Sequence, residues 1–363
     1  MTAPSQVPPL RRIYLYLSGS CNLACRHCWI DPRFSKTAGA DDLSLEAIQS
    51  IVIQAQELGL RSVKLTGGEP MLHPQLVPLI RFLHESKIGI TMETNGTLIG
   101  EAEAKLLKAV GATLSISLDG PDAALHEDLR RVPGCFEQTL AGMRALQREN
   151  VSYQVIACLY RNNQQRVVEI PALIRTLGAT SLKINPVTGM TRSATMGTRG
   201  ELLSIAEILE VHQQLQRAAE AAGIRLAFDV PPAFLSIAQI RRDHFGTCGI
   251  LNILGVLHNG HASLCGIGEV KKELDFGDLT KTSVREVWDT NPTLQAIREH
   301  VPARLGGICA RCVLKRYCLG KCIAHEYDRA GNLFGGHWFC QSAFEEHLFP
   351  LTRLVEQPRH PGD

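Results

Sequence analysis

From residue 13 to about residue 187, short apolar runs alternate with amphipathic stretches. Ile13 to Leu17 has strand length and character. Leu45, Ile48, Ile51, Val52, Ala55 and Leu58 then recur at helical spacing, and Gly59 ends the helix. Further strands are predicted at Ser62 to Leu65, Ile88 to Met92, Thr113 to Leu118, Tyr153 to Leu159 and Leu182 to Ile184. Helical repeats separate them: Leu76 to Leu83, a stretch ending at Gly111, Leu140 to Leu146, and Val167 to Leu177, which ends at Gly178. Strands and helices in this order predict a parallel sheet, with periodicity alone allowing either a partial barrel or an open doubly wound sheet.

A longer helix is predicted from Leu202 to Ala222, and Pro231-Pro232 punctuates the entry to a cysteine-rich region. Residues 196–240 therefore read as a helical linker, with Gly197 to Gly200 as a mobile loop over the mouth of the sheet.

Composition narrows the class. The chain has 363 residues and 45% hydrophobic content, enough for a sizeable core. A net charge of +2 gives no reason to expect a nucleic-acid or membrane-surface partner. No apolar run has membrane-spanning length, and the first nine residues lack the marks of a signal peptide. Twelve cysteines in such a chain argue against a disulfide framework and for metal in a reducing compartment. The expectation is a cytoplasmic enzyme.

Three of the cysteines, Cys21, Cys25 and Cys28, are spaced Cys-x3-Cys-x2-Cys. A closed zinc site or an ordinary electron-transfer cluster takes four protein ligands, so three thiolates on one loop leave a metal position open. Seven more cysteines lie further along the chain: Cys248, Cys265, Cys309, Cys312, Cys318, Cys322 and Cys340. Zinc is the plain alternative for the Cys309-x2-Cys312 pair. Seven, however, does not divide into closed four-ligand sites.

The three-cysteine loop resembles that of the radical S-adenosylmethionine (SAM) superfamily, with His27 where the family usually has another aromatic before the third cysteine. The resemblance implies an α/β fold: a (βα)6 partial TIM barrel over residues 13–195, after a tail of residues 1–12. It also implies a [4Fe-4S] cluster whose open iron chelates SAM. Gly67-Gly68-Glu69-Pro70 matches the motif whose backbone pairs with the SAM amino group. Asn95 corresponds to a ribose contact, Ser117 and Asp119 to ribose or carboxylate contacts, and Asn185, with Pro186 and Val187, to the surroundings of the adenine. Each motif is also a good turn sequence. Their weight comes from their order at successive strand ends, where parallel barrels carry function.

The later cysteines are similar to the SPASM extension of that superfamily, here residues 241–345, with 346–363 as a tail. Carried over, Cys309, Cys312, Cys318 and Cys340 close one auxiliary cluster, and Cys248, Cys265 and Cys322 hold another, for three [4Fe-4S] clusters in all. The second auxiliary cluster lacks a fourth cysteine. Asp243, His244 or a substrate thiolate are the candidates for its open iron. Cys135 and Cys158 match no cluster position, and Cys158 reads as a small core residue.

The implied activity is reductive cleavage of SAM to a 5′-deoxyadenosyl radical, which takes hydrogen from a peptide substrate. Maturation of a ribosomally made peptide by a thioether or carbon–carbon crosslink, or by residue oxidation, is the first expectation. A precursor peptide and a flavodoxin- or ferredoxin-type reductant are the implied partners. Only about a dozen residues precede the first strand, so leader recognition, if any, is expected from a separate leader-binding protein or from the catalytic surface. Sulfatase maturation is a competing assignment, weakened by Gly266, where those enzymes have an aspartate base. Radical decarboxylation of a tetrapyrrole is another, and a non-catalytic metal scaffold is the reading from a different class. Glu269 is the candidate acid or base.

Overall fold

The computed structural model describes residues 7–241 and 248–355. Strands β1 (Arg12–Tyr16), β2 (Ser62–Thr66), β3 (Gly89–Thr94), β4 (Thr113–Ser117), β5 (Tyr153–Leu159) and β6 (Ser181–Pro186) lie side by side in chain order, all parallel. A doubly wound sheet would reverse its order at a switch point. The sequential order is that of a partial barrel.

Along these strands the side chains alternate. Val63 and Leu65, Ile90 and Met92, Val155 and Ala157, and Leu182 and Ile184 are buried in the main apolar core. Their neighbours Lys64, Glu93, Cys158, Lys183 and Asn185 are less buried and line a cavity on the sheet's other face. The core side is closed by amphipathic helices. In α1 (Leu45–Glu57), Ile48, Ile51, Val52 and Ala55 are buried, and Ser44 caps the N-terminus by accepting from the Ala47 N–H. Helices α2 (Leu76–Glu85), α3 (Glu101–Ala109), α4 (Ala123–Arg130), α5 (Cys135–Arg148) and α6 (Ile170–Thr176) complete the crossovers.

Two departures from the expected division concern the sheet edges. The stretch read as a helical linker does contain a capped helix, α8 (Ile205–Ala222), after the short α7 (Ala194–Thr198). It also contributes strand β7 (Arg225–Phe228), parallel to β6. On the far side, β8 (Ile253–Val256) pairs in parallel with β1 and carries the antiparallel β9 (His261–Ser263) and β10 (Asp275–Asp278). The cysteine-rich region thus begins as part of the barrel sheet. Unpaired edge strands are costly, and covering β1 and β6 joins the two halves. The indole N–H of Trp288 adds a further tie, donating to the Pro8 carbonyl at 2.8 Å.

Candidate active site

The cysteine loop comes directly after β1 and rests on three neighbours. The first is the loop after β2: the N–H of Gly68 donates to Ser18 O at 2.8 Å and that of Glu69 to Ser20 O at 2.9 Å. A Cβ on Gly68 would lie 2.0 Å from Ser20 O, and Gly67 has φ +117°. Only glycines allow the two loops this approach. The second is the end of α4, where Arg130 O accepts from Ala24 N at 3.2 Å and Leu129 O from Arg26 N at 2.9 Å. The third is the segment after α7. Arg26 pairs there with Glu201, and also with Asp128 at 3.0 Å on the α4 side. The stretch expected as a mobile loop is accordingly half helical and tied down, with Gly200 O accepting from Arg161 Nε at 2.8 Å.

Cys21 and Cys25 are buried and pack with Leu23 and Cys135; Cys28 is half-buried beside them. Sulfur acceptors are already supplied with donors. The N–H of Leu23 lies 3.4 Å from the Cys21 Sγ, and Arg130 Nη1 lies 3.6 Å from the Cys25 Sγ. Cys135, which no motif assigned, backs this group from the start of α5.

The motif residues have distinct tasks. Glu69 is buried and its carboxylate accepts from Thr94 Oγ1 at 2.6 Å, Asn95 N at 2.9 Å and Met71 N at 3.0 Å. Burial pushes its pKa up, against the pull of those bonds. Pro70 is buried and opens a short 3-10 turn. Asn95 was expected to meet the ribose. In the structure its amide donates to Asn22 Oδ1 at 2.8 Å and accepts from the Thr97 N–H and hydroxyl, at 2.9 and 2.7 Å. It fastens the cysteine loop.

The side chain of Asp119, expected as a SAM contact, is fully buried. It binds Arg130 Nε at 2.6 Å and accepts from the Cys158 N–H at 2.8 Å. Burial opposes its ionisation, yet the Arg130 charge holds it down to about 2. Ser117 ends β4 half-buried, outside the cavity lining.

The cavity itself measures 370 Å³. Its lining includes His27 and Trp29 of the cysteine loop, with Cys158, Asn185 and Val187. Cys322, His325, His337 and Trp338 of the later cysteine region also line it. So do the charged groups Lys64, Glu93, Lys183, Asp229 and Lys321. Lys64 binds Glu93 at 2.6 Å and Lys321 binds Asp229 at 2.7 Å. Burial would raise both carboxyls, but these lysines hold them low. Several buried polar atoms on the lining have no protein partner: His27 Nδ1, Asn185 Oδ1, His325 Nδ1 and His337 Nδ1. Burial pulls the His27 imidazole down to about 3, so it is neutral. Orphaned polar atoms around one space call for a polar ligand.

Of the predicted SAM contacts, Asn185 alone lines this cavity. Cys158, read as core, also lines it. The charged residues went unnoticed in the sequence, although the inward alternation of Lys64, Glu93 and Lys183 on β2, β3 and β6 was a usable signal. Glu269 lies elsewhere: it binds His258 Nδ1 at 2.9 Å in a separate pocket of 160 Å³.

In the C-terminal region Cys309, Cys312, Cys318 and Cys340 line one small, mostly apolar pocket with Leu305, Ile308 and Phe349. Backbone N–H groups reach two of these sulfurs, His337 N to Cys309 at 3.3 Å and Leu314 N to Cys312 at 3.4 Å. Cys248, Cys265 and Cys322 form a second group: burial raises the pKa of Cys248 and Cys265, and the nearby Cys322 raises both further. Among the described residues no three ligating side chains converge on a single-ion site. A cubane spreads its cysteine sulfurs wider than one ion does, and the two groups have the donor set for it. Asp243 and His244 lie outside the described residues.

These features match known proteins. The radical SAM superfamily model matches residues 15–174, and the model of the SPASM iron–sulfur cluster-binding domain matches residues 248–313. The chain thus carries a radical SAM domain and, after it, a SPASM domain, which together imply SAM and iron–sulfur clusters. It is 29% identical to an AdoMet-dependent heme synthase of Oleidesulfovibrio alaskensis, over 90% of this chain and 85% of that one. It is 25% identical to a PqqA peptide cyclase of Ruegeria pomeroyi, over 100% of this chain and 94% of that one. The fold superposes on Streptococcus suis SuiB bound to S-adenosylmethionine with a TM-score of 0.71, at 18% identity, covering 92% of this chain and 78% of that one. Among the described residues no helix is long and apolar enough to cross a membrane.

Proposed function

We propose that the chain is a peptide-modifying radical SAM enzyme with three [4Fe-4S] clusters. Cys21, Cys25 and Cys28 would hold the SAM cluster. Cys309, Cys312, Cys318 and Cys340 would close one auxiliary cluster, and Cys248, Cys265 and Cys322 would hold the other. When bound, the first cluster supplies the electron that cleaves SAM and so provides the 5′-deoxyadenosyl radical. The protein's share is orientation and exclusion of water. Gly67 and Gly68 bring backbone close to the cysteine loop. His27 and Asn185 offer unpartnered polar atoms on the cavity lining.

The observation that carries the reading is the cavity between the cysteine loop and Cys322. A group seated there would adjoin residues of both cysteine regions, and with SAM and the clusters bound it could give up a hydrogen and an electron. At 370 Å³, shared with SAM, the space is at the small end for ligand pockets and suits one or two side chains. A precursor peptide is the partner proposed, with a flavodoxin- or ferredoxin-type protein as reductant.

A second reading, radical decarboxylation of a tetrapyrrole, is favoured by the heme synthase relatives and by three lysines on the lining. One experiment separates the two. Anaerobically reconstituted protein, SAM and dithionite are incubated with a short peptide encoded beside the gene, or with a propionate-bearing tetrapyrrole. A peptide product lighter by two hydrogens supports the first reading. Loss of carbon dioxide from the tetrapyrrole alone would replace it, and no 5′-deoxyadenosine with either would remove both.

A further inference from the structure

Three lysines reach the cavity, but only two carboxylates meet them there. Lys64 and Lys321 are engaged by Glu93 and Asp229 at 2.6 and 2.7 Å. Lys183 projects from the middle of β6, two residues before Asn185 on the same face. Its ammonium acts on both carboxylates through space, yet among the described residues no carboxylate lies within ion-pair distance of it. The lining thus has one lysine more than it has carboxylates. A partly enclosed ammonium that lacks a counter-charge favours an anionic ligand, because the attraction is weakly screened there. The nearby lining adds donor capacity: His325 Nδ1 and His337 Nδ1 are buried and unpartnered, and a neutral imidazole can carry its proton on that nitrogen. Trp338 and Phe339 supply apolar wall beside them.

We propose that Lys183 is a substrate-specificity residue that receives a carboxylate, so that the side chain presented to the radical is acidic or lies next to an acidic one. This rests on the radical SAM reading above and narrows its substrate class. A peptide substrate would carry aspartate or glutamate at or beside the modified position.

The test uses small probes on the reconstituted holoenzyme. Perdeuterated glutarate and perdeuterated glutaramide are offered separately with SAM and dithionite, and deuterium in 5′-deoxyadenosine is measured by mass spectrometry. In the reporting step one dithionite electron breaks the S–C5′ bond of SAM, the probe's C–D bond breaks as a C–D bond forms at the 5′ carbon, and a second dithionite electron with a proton from water converts the probe radical to a C–H bond. The wild-type protein should take at least five times more deuterium from glutarate than from glutaramide. The preference should vanish in Lys183→Met and persist in Lys183→Arg. Because the readout is a ratio between probes, variation in total yield divides out. Equal labelling by both probes in the wild type overturns the proposal, as does labelling from neither or a preference kept in Lys183→Met. A tenfold weaker SAM affinity in Lys183→Met with the preference intact would assign the lysine to the SAM carboxylate and also overturn it. Absence of any 5′-deoxyadenosine is a separate outcome, which removes the underlying radical reading.

Discussion

The Arg130 guanidinium joins Asp119 to Cys25. Its Nε donates to Asp119 Oδ2 at 2.6 Å, while its Nη1 lies 3.6 Å from the Cys25 Sγ. Both charged groups are buried, so neither could be left alone cheaply. The pair therefore supports the cysteine loop from below. Removing Arg130 alone, as in Arg130→Met, should cost about 3–5 kcal/mol, because the Asp119 charge stays buried. The double variant Arg130→Met with Asp119→Asn should recover much of that. Anaerobic thermal unfolding of the four proteins is the check, and additive losses would count against a coupled pair.

Replacing Cys21, Cys25 and Cys28 together by alanine should leave about eight of about twelve irons per chain, since the later cysteines form separate groups. Formation of 5′-deoxyadenosine should stop. Iron analysis beside product analysis checks this; near-complete loss of iron would mean that the clusters assemble only together.

Asn95 and Asn185 should separate by phenotype. Asn95 holds Asn22 and Thr97 at the cysteine loop, so Asn95→Ala should lower iron content as well as SAM affinity. Asn185 has an unpartnered oxygen on the cavity wall, so Asn185→Ala should weaken SAM binding several-fold with iron retained. SAM titration and iron analysis on both variants decide it. Equal iron loss would make Asn185 structural too.

Gly68→Ala should disrupt the junction of the two loops, because the new Cβ would sit 2.0 Å from Ser20 O. Overpacking of this kind costs about 1–3 kcal/mol. The expected result is at least tenfold weaker SAM binding. An affinity like that of the wild type would show that the loops can separate freely.

His212 gives a pH dependence remote from the cysteines. It lies on α8 against the Phe228 ring, at 4.7 Å between centroids, and burial lowers its pKa to about 4. The unfolded chain titrates near 6.5 and so binds the proton more tightly. The contribution to stability is full above pH 6.5 and is lost as pH falls from there toward 4, by up to about 1.4 kcal/mol per unit. His212→Leu should remove this slope. Unfolding midpoints of variant and wild type at pH 7 and pH 5 test it, and parallel changes would exclude the assignment.

Strand and helix order was legible in the chain because apolar periodicity is local: Ile48, Ile51 and Val52 mark a helix face without reference to anything distant. The cysteine spacings were legible for the same reason, since ligands on one loop are close in sequence. What only the tertiary structure decided depends on contacts between remote segments. Strand β7 is four residues long and acquires its role from the exposed edge of β6. Asp119 and Asn95 stand in strand-end motifs that face a ligand in principle. Their protein partners, Arg130 and Asn22, stand 11 and 73 positions away. The cavity charges are the clearest case. Lys64, Glu93, Lys183, Asp229 and Lys321 are unremarkable one by one, and become a charged lining only when the sheet curls and the second cysteine region closes over it. Periodicity decides which face a residue takes, whereas its partner is set by three-dimensional closure.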